Sequence, residues 1–396
     1  MPSSNNYRFS YEEKIYLELL RNTKFKKASE EALSSISLHH KPQTEFTLAT
    51  DGFELTEKNS PELFKEFSAA KKNLKLNPKT KISLYIKNDQ QINAGCIFLS
   101  KEDYAVYLNA GLINIMNIDE LNFVIGHELG HLKYLHHKII KDQLQKISPA
   151  TQIRLFEHSR YAEISADRCG LIAAGSLEVS KNALLKLSTG TDLTLIDQSQ
   201  NNTSIEIKAL QDLIETDKGL INEKLSHPYS QIRIYALEKF NECFSNDSII
   251  KSRVVEVDKK IAKVLSLLNP KIDELKSLAF IYASLWVSYS HEKNLKIELE
   301  HIEDICDPIF LSRIVKKSKD ISNKNKFYEK EFRKIIDSKE RVLTLSEKSD
   351  LLDKISLVAA VDGDLHQNEK KVLYSVAKIL DLPKNYVDAV LNKIQT

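Results

Sequence analysis

The sequence predicts an α+β protein that is mostly helical, with a small mixed sheet confined to its first half. Two observations support this class. Apolar residues recur at helical spacing through most of the chain, whereas alternation at every second position occurs in only a few short runs. The length of 396 residues exceeds that of one ordinary domain, so we expect two or three.

Composition and charge exclude several classes of protein. Hydrophobic residues make up 42% and charged residues 28% of the chain, which is typical of a folded protein rather than a disordered one. The 57 Lys and Arg residues nearly balance the 55 Asp and Glu residues. A formal charge of +2 provides no field for attracting nucleic acid, so we expect no such partner.

The N-terminal segment, residues 1–55, is predicted to be helical. Its first 21 residues are polar and carry Glu12, Glu13 and Lys14, where a secretory signal would need an uninterrupted apolar stretch. The four cysteines are widely spaced, form no CxxC pair and are read as reduced thiols. We therefore expect a cytoplasmic protein. The most apolar run, Leu278 to Tyr289, is too short to cross a bilayer and is read as a buried helix that includes Trp286.

The second predicted domain, residues 56–245, contains the sheet. A helical pattern begins at Pro61, and then Ile82, Leu84 and Ile86 alternate as in a strand. Two further β-like runs follow, at residues 95–99 and 104–108. Asn117, with Glu120 three residues later, has the pattern of a capping box and predicts that a helix begins there.

That helix carries the pattern HExxH, formed by His127, Glu128 and His131. Two histidines four residues apart project from one face of a helix, so both imidazoles can reach one Zn²⁺ at about 2.0–2.1 Å. Glu128 then lies beside the ion, where a general base is needed. The pattern becomes specific only with a third ligand.

Two residues compete to be that ligand. His137 follows His131 by six residues, the spacing of the third histidine in metzincins, but that geometry needs glycine where Tyr134 stands. If the helix continues, His137 is rotated away from the metal. Glu163 is favoured because it lies on a second helix, four residues before Asp167 on the same face.

A carboxylate ligand leaves the fourth zinc position open, and a second carboxylate can accept the N–H of a ligand histidine. We therefore predict Glu163 as the metal ligand and Asp167 as its neighbour that fixes a histidine. Zn²⁺ would lower the pKa of water toward about 7, and Glu128 would transfer the proton to the leaving amine.

Over residues 61–237 the sequence resembles the HtpX and CAAX-prenyl-protease family of gluzincin metallopeptidases. Five segments appear in the order of that family. They are Ile92-Asn93-Ala94-Gly95, Gly111-Leu112-Ile113 ahead of Asp119-Glu120-Leu121, the HELGH segment, Glu163 to Arg168, and Ser226-His227-Pro228 with Arg233.

The resemblance implies a zincin-like domain with one Zn²⁺ per chain and a peptide or protein substrate. It implies that Asn93, Ala94, Gly95 and Cys96 form an edge strand that pairs with the substrate backbone. It places His227 near the metal, as a donor to the oxyanion or as an occupant of the fourth position in a latent enzyme. Arg233, like Asp167, is expected to lie next to the metal ligands without binding the metal. The sequence lacks the transmembrane helices of many members, which puts a prenylated or membrane substrate in doubt.

The third predicted domain, residues 246–396, is helical throughout. Its segment Ile355 to Glu369 joins two helical patterns through an acidic Asp362-Gly363 turn and resembles TerB-type helical domains. Val287 and Glu298 precede Val358 and Glu369 by 71 residues, a faint internal repeat. The turn either binds Ca²⁺ or Mg²⁺ through Asp362, Asp364 and Glu369, or forms a turn that caps the next helix.

We therefore predict a zinc-dependent endopeptidase that the C-terminal domain regulates or targets through a protein partner. The alternative is a latent or non-enzymatic stress or defence adaptor that binds through its TerB-like domain. Cys169, six residues after Glu163, is either a redox switch or a buried inert thiol.

Overall fold

The computed structural model of the chain is mostly helical and contains one mixed four-stranded sheet, as the sequence predicts. It describes residues 7–21, 23–35, 41–100, 102–139, 149–194, 207–209, 229–245, 248–266, 274–291, 294–306, 308–338 and 343–395. The chain divides into two compact units. The first comprises Met1–Gln145 and Ile153–Pro270, and the second comprises Lys146–Gln152 and Lys271–Thr396.

Helices and short strands alternate in the N-terminal part of the chain. The helices are α1 (Ser10–Arg21), α2 (Thr23–Ser35), α3 (Lys41–Asp51), α4 (Pro61–Asn73), α5 (Ala110–Ile115), α6 (Ile118–Lys133), α7 (Pro149–Ala174), α8 (Leu177–Thr189), α9 (Ser230–Asn241) and α10 (Lys251–Leu265). The strands are β1 (Gly52–Leu55), β2 (Lys81–Lys87), β3 (Ala94–Ser100), β4 (Asp103–Asn109), β5 (Phe244–Ser245) and β6 (Ser248–Ile249).

The four-stranded sheet has the order β1-β2-β4-β3. Strands β2 and β4 are parallel, whereas β1 pairs antiparallel with β2 and β3 pairs antiparallel with β4. Strand β1 was not predicted, because Gly52–Leu55 has too few residues for its alternation to be read. Among the described residues β3 lies at an edge of the sheet, so one side of its backbone faces no other strand.

Helix α6 begins as its capping box predicts. Asn117 Oδ1 accepts a hydrogen bond from Glu120 N at 2.9 Å, and Glu120 Oε2 accepts one from Asn117 N at 2.9 Å. The helix ends at Lys133, and Leu135 adopts a left-handed conformation with φ of 60°. The expectation that the helix continues past Tyr134 is therefore wrong, and residues 136–138 form a short 3₁₀ turn instead.

The second unit is all helical in its described residues. Its helices are α11 (Glu274–His291), α12 (Leu295–Ile305), α13 (Pro308–Lys317), α14 (Lys324–Ile336), α15 (Leu345–Ala360), α16 (Gln367–Ile379) and α17 (Lys384–Gln395). Trp286 is 5% exposed and packs in the apolar core of this unit, as predicted. None of the helices that the structure describes combines the length and the apolar character that crossing a membrane requires.

The acidic turn of the second unit has the geometry of a helix cap. Gly363 has a φ of 83°, which favours glycine, and Asp362 Oδ1 accepts a hydrogen bond from Asp364 N at 3.0 Å. Glu369 Oε2 accepts one from His366 N at 2.8 Å and so completes a capping box at the start of α16. Of the two predicted readings of this segment, the turn and cap account for these contacts.

Candidate metal centre

The described residues bring the two histidines of α6 and Glu163 of α7 together. His127 Nε2 and His131 Nε2 are 3.1 Å apart. Glu163 Oε2 is 3.5 Å from His127 Nε2, and Glu163 Oε1 is 3.5 Å from His131 Nε2. The three groups could hold a metal ion, and His127 and Glu163 are buried while His131 is partly exposed.

These distances fit zinc. A tetrahedral ion about 2.0–2.1 Å from each ligand atom requires the ligand atoms to lie roughly 3.3–3.4 Å apart. The two imidazole nitrogens are 3.1 Å apart, and each of them has a different oxygen of Glu163 at 3.5 Å, Oε2 for His127 and Oε1 for His131, so all three separations lie near that value. Two imidazoles and one carboxylate are also the ligand set of zinc sites that keep a fourth position open for chemistry.

Glycines on α6 allow α7 to approach closely enough for this geometry. A Cβ atom at Gly126 would lie 2.4 Å from Ala173 Cβ and 2.9 Å from Cys169 O. At Gly130 it would lie 2.9 Å from Cys169 Cβ. Any side chain at either position would push the two helices apart and move Glu163 away from the histidines. The spacing of the glycines, four residues apart on the motif helix, was a signal in the sequence that the prediction did not use.

Asp167 holds His127 through the ring nitrogen that faces away from the other ligands, and Arg233 in turn holds Asp167. Asp167 Oδ1 lies 2.9 Å from His127 Nδ1, which donates to it when His127 binds metal through Nε2. Arg233 Nε and Nη2 donate to Asp167 Oδ2 and Oδ1 at 2.8 and 2.6 Å. Burial alone would raise the pKa of Asp167, but the adjacent guanidinium lowers it to about 2. The carboxylate thus stays ionised and fixes the orientation of His127.

Glu128 lies beside the ligands in a buried environment. Burial is the main reason that its pKa is raised from the ordinary value of a glutamate, and the neighbouring Glu163 adds to the shift. The pKa of His127 is also raised, because Asp167 and Glu163 outweigh the opposing effect of burial. A carboxylate with a raised pKa is suited to accept and then return a proton near neutral pH.

The edge strand β3 passes next to this group. The Cys96 thiol of β3 lies near enough to the Glu128 carboxylate to interact with it electrostatically, and burial together with this carboxylate raises the pKa of the thiol well above its ordinary value. Gly95 lies against Tyr107 of β4, where a Cβ atom would be 2.5 Å from the phenol oxygen. Asn93 precedes the strand, and its backbone oxygen accepts from Asn109 N at 3.0 Å. The segment predicted to bind substrate is therefore adjacent to Glu128.

Neither His136 nor His137, the two histidines that follow the C-terminus of α6, belongs to the group of three candidate ligands. The His137 ring stacks on Phe98 at 5.1 Å and an angle of 13°, and burial lowers its pKa to about 4. His136 is buried, and its Nδ1 lies 2.8 Å from His131 Nδ1. Its contact with a ligand histidine was not predicted.

Other predicted residues are placed as follows. Cys169 is fully buried, and its pKa is raised to about 12 by burial, which suits an inert thiol rather than a redox switch. His227 lies outside the described residues. The sequence reading missed Glu12, a buried residue of α1 that the structure brings next to His136 and His158.

Comparison with known proteins shows which families this region is similar to. Residues 57–153 match the family model described as Peptidase family M48. The chain is 24% identical over 187 residues to the plastoglobule-localized metallopeptidase 48, chloroplastic, of Arabidopsis thaliana, an alignment that covers 42% of this chain and 54% of that protein. It is 42% identical over 50 residues to the protease HtpX homolog of Streptococcus uberis, covering 13% of this chain and 17% of that protein.

The chain thus spans about half or less of the length of these curated relatives. No solved structure matches it. The family match and the names of the relatives support a metal-dependent protease, which confirms the coarse form of the resemblance read from the sequence. The family model ends at residue 153, and the TerB-like resemblance of residues 246–396 stays a prediction.

Proposed function

We propose that this protein is a zinc-dependent endopeptidase. The observation that carries the proposal is the set of separations among the ligand atoms of His127, His131 and Glu163, which match those of a tetrahedral zinc site. When bound there, zinc supplies Lewis acidity that makes water more acidic and polarises a carbonyl oxygen. Every remaining part of the mechanism comes from side chains of this chain.

Glu128 is the proposed general base and acid. It is buried and lies next to the ligand group, and its raised pKa allows it to take a proton from water and to release the same proton later. The proton would pass to the leaving amine as the peptide bond breaks. Asp167 and Arg233 do not meet the substrate in this proposal and act by fixing His127.

The substrate backbone is proposed to pair with β3. This strand is an edge of the sheet among the described residues, and its Cys96 lies beside Glu128. A polypeptide added to that edge would pass the general base in an extended conformation, which favours unfolded segments over folded ones as substrates. His227 remains the candidate donor to the developing oxyanion, on the resemblance alone.

For the second unit we propose a TerB-like helical domain that recruits substrates or partners. The glycine turn at Gly363 and the capped helix that follows it support this proposal. The alternative function, a non-enzymatic adaptor, requires no buried carboxylate beside a three-ligand site. The position of Glu128 therefore favours the enzyme.

The test is cleavage of an unfolded protein by the purified full chain loaded with Zn²⁺, with new termini identified by mass spectrometry. Glu128→Gln serves as the control, because it removes the base and leaves all three ligands. We expect the variant to bind zinc and to lose turnover by about 10²-fold or more. Equal cleavage by both proteins would exclude Glu128 as the base, and zinc binding without cleavage by either would favour the adaptor.

A further inference from the structure

Helix α1 places a charged side chain inside the first unit. Glu12 is completely buried, and its two carboxylate oxygens accept hydrogen bonds from Arg8 Nε and Nη2 at 2.6 and 2.8 Å. His158 Nε2 lies 3.1 Å from Oε1, and Ser165 Oγ donates to Oε2 at 3.2 Å. Burial would raise the pKa of Glu12, but its hydrogen bonds hold it well below the ordinary range. The group is therefore a buried carboxylate ion.

His136 connects this carboxylate to the candidate metal centre. Its Nε2 lies 3.5 Å from Glu12 Oε1, and its Nδ1 lies 2.8 Å from Nδ1 of the ligand His131. The left-handed conformation at Leu135 ends α6 and turns the chain so that His136 can reach both groups. A continuous path thus runs from Glu12 through His136 to His131.

The positions of the protons on this path are linked. A histidine that binds a metal through Nε2 carries its single proton on Nδ1. His131 must then donate to His136 Nδ1, and His136 must carry its own proton on Nε2, facing Glu12. The reverse arrangement would protonate His131 Nε2 and exclude it as a ligand. An anion at the position of Glu12 stabilises the arrangement in which His136 carries its proton on Nε2.

We propose that Glu12 is a positioning residue for the metal centre, acting through His136 to hold His131 in the tautomer and orientation that bind the ion. It is the counterpart of Asp167, which contacts His127 directly. Each ligand histidine is then anchored to a carboxylate, one by a single contact and the other through a second imidazole. The inference rests on the proposed zinc site.

A different reading of the same residues is a second metal site, since ligand atoms of Glu12, His136 and His158 lie within 4.8 Å of one another. The guanidinium of Arg8 argues against it. This cation already bonds both oxygens of Glu12, and its charge would repel a metal ion at that place. The hydrogen bonds account for the cluster without a metal.

The test measures zinc affinity of the full chain by competition with a chromophoric chelator. We expect Glu12→Gln to weaken binding by about 10–100-fold, the usual effect of losing an anchor of a ligand histidine. A neutral amide can either accept from or donate to His136 Nε2, so it no longer selects one tautomer. His136→Phe, which breaks the path at its middle, should weaken binding by the same factor.

The double variant separates positioning from general stability. If Glu12 acts through His136, then Glu12→Gln should cause no further loss of zinc affinity in the His136→Phe background. A purely structural role would weaken binding equally in both backgrounds. This comparison remains decisive if Glu12→Gln lowers the melting temperature.

Asp258→Asn is the matched control. Asp258 is also buried and also holds the start of α1, because its Oδ2 accepts from Ser10 N at 2.9 Å and its Oδ1 accepts from Arg168 at 2.6 Å. These contacts hold α1 without contacting His136. We expect this variant to lose stability and to keep the zinc affinity of the unmodified chain.

The outcomes are distinct. Unchanged zinc affinity in Glu12→Gln and in His136→Phe would overturn the inference and leave the zinc site standing. Equal weakening by Asp258→Asn would overturn it as well, since α1 would then act only as a brace. A second bound zinc that Glu12→Gln removes would replace it with the two-metal reading. Absence of zinc binding in the unmodified chain would reject the proposed function itself.

Discussion

The two units differ in what they bury. Among the described residues, the core of the second unit consists of aliphatic and aromatic side chains around Trp286, with Glu298 and Glu369 as its buried charged residues. The first unit buries ionisable groups of both signs, namely Glu12, Glu120, His127, Glu128, His136, Glu157, His158, Arg160, Glu163, Asp167, Arg168, Lys186 and Asp258.

Burying a charge is costly unless partners and hydrogen bonds compensate. An apolar core needs no such compensation, so the second unit has the interior expected of a scaffold. The first unit has its charges arranged in connected groups, such as Asp167 with Arg233 and Glu12 with Arg8. The difference supports the placement of the proposed chemistry in the first unit. This placement can be tested by replacing single buried ionisable residues in each unit.

The largest effect is expected for Asp167→Asn in the first unit. Asparagine can still accept from His127, but Arg233 then loses the carboxylate that accepts two of its hydrogen bonds and keeps only the more distant Glu163, 3.5 Å away. We expect zinc affinity to fall by about 10–100-fold, and the free energy of unfolding to fall by about 3–5 kcal/mol. Chelator competition and urea denaturation measure the two quantities.

Glu298→Gln is the control for that experiment, because it replaces a fully buried carboxyl group of the second unit by an amide of the same size. It should leave zinc affinity unchanged. If both variants weakened zinc binding to the same extent, the contrast between the units would be lost. If Asp167→Asn alone had no effect on affinity, Asp167 would not be an anchor of His127.

A smaller effect is expected from Gly126→Ala, which tests the close packing of α6 and α7. Alanine favours a helix by about 1 kcal/mol over glycine, yet the nearest contacts of the new Cβ include the Cys169 carbonyl oxygen, which cannot move cheaply. We expect a net loss of about 1–3 kcal/mol, as is usual for overpacking, measured as a lower urea midpoint by circular dichroism.

Gly130→Ala provides a graded comparison. Its shortest new contact is 2.9 Å rather than 2.4 Å, so the loss should be smaller than for Gly126→Ala. The midpoint of Trp286 fluorescence, which reports the second unit, should move less than the circular dichroism midpoint in both variants. A stabilised Gly126→Ala protein would show that the two helices can separate without cost.

Local patterns explain which features the sequence could predict. The capping box at Asn117, the alternation in β2 and the four-residue spacings in HExxH and in Glu163 with Asp167 each depend on a few consecutive residues. They were read without knowledge of the fold because helix and strand geometry fixes which side chains share a face.

The features that escaped prediction depend on contacts between distant segments. Glu12 meets His158 across 146 residues, and no periodicity connects those two positions. Cys96 reaches Glu128 only because β3 passes beside α6. The end of α6 was misjudged because Leu135, a residue that rarely adopts positive φ, gave no sign of a left-handed turn.

The internal repeat of the second unit is an intermediate case. Glu298 and Glu369, 71 residues apart in the sequence, come close enough to influence each other's ionisation. His291 stacks on His366 with ring centroids 3.6 Å apart, and Asn294 Nδ2 donates to Asp362 Oδ2 at 2.9 Å. The repeat was visible in the sequence, but the pairing of its two copies was not.

The smallest effect is expected from that carboxyl pair, as a dependence of stability on pH. Burial, with Glu369 and Asp362 facing the same group, raises the pKa of Glu298 to about 7 from the ordinary value of 4.5. Between these two pH values the folded chain keeps a proton that the unfolded chain releases. Stability of the second unit should therefore fall as the pH rises from about 4.5 to 7 and then level off.

Trp286 is the single tryptophan of the chain and lies in this core, so its fluorescence during urea denaturation follows the second unit. Glu298→Gln should reduce the slope of the midpoint against pH, because the amide cannot titrate. Glu300→Gln, on the exposed face of the same helix, should not change it. A flat profile in the unmodified chain would mean that Glu298 ionises freely, and the second unit would then share the first unit's tolerance of buried charge.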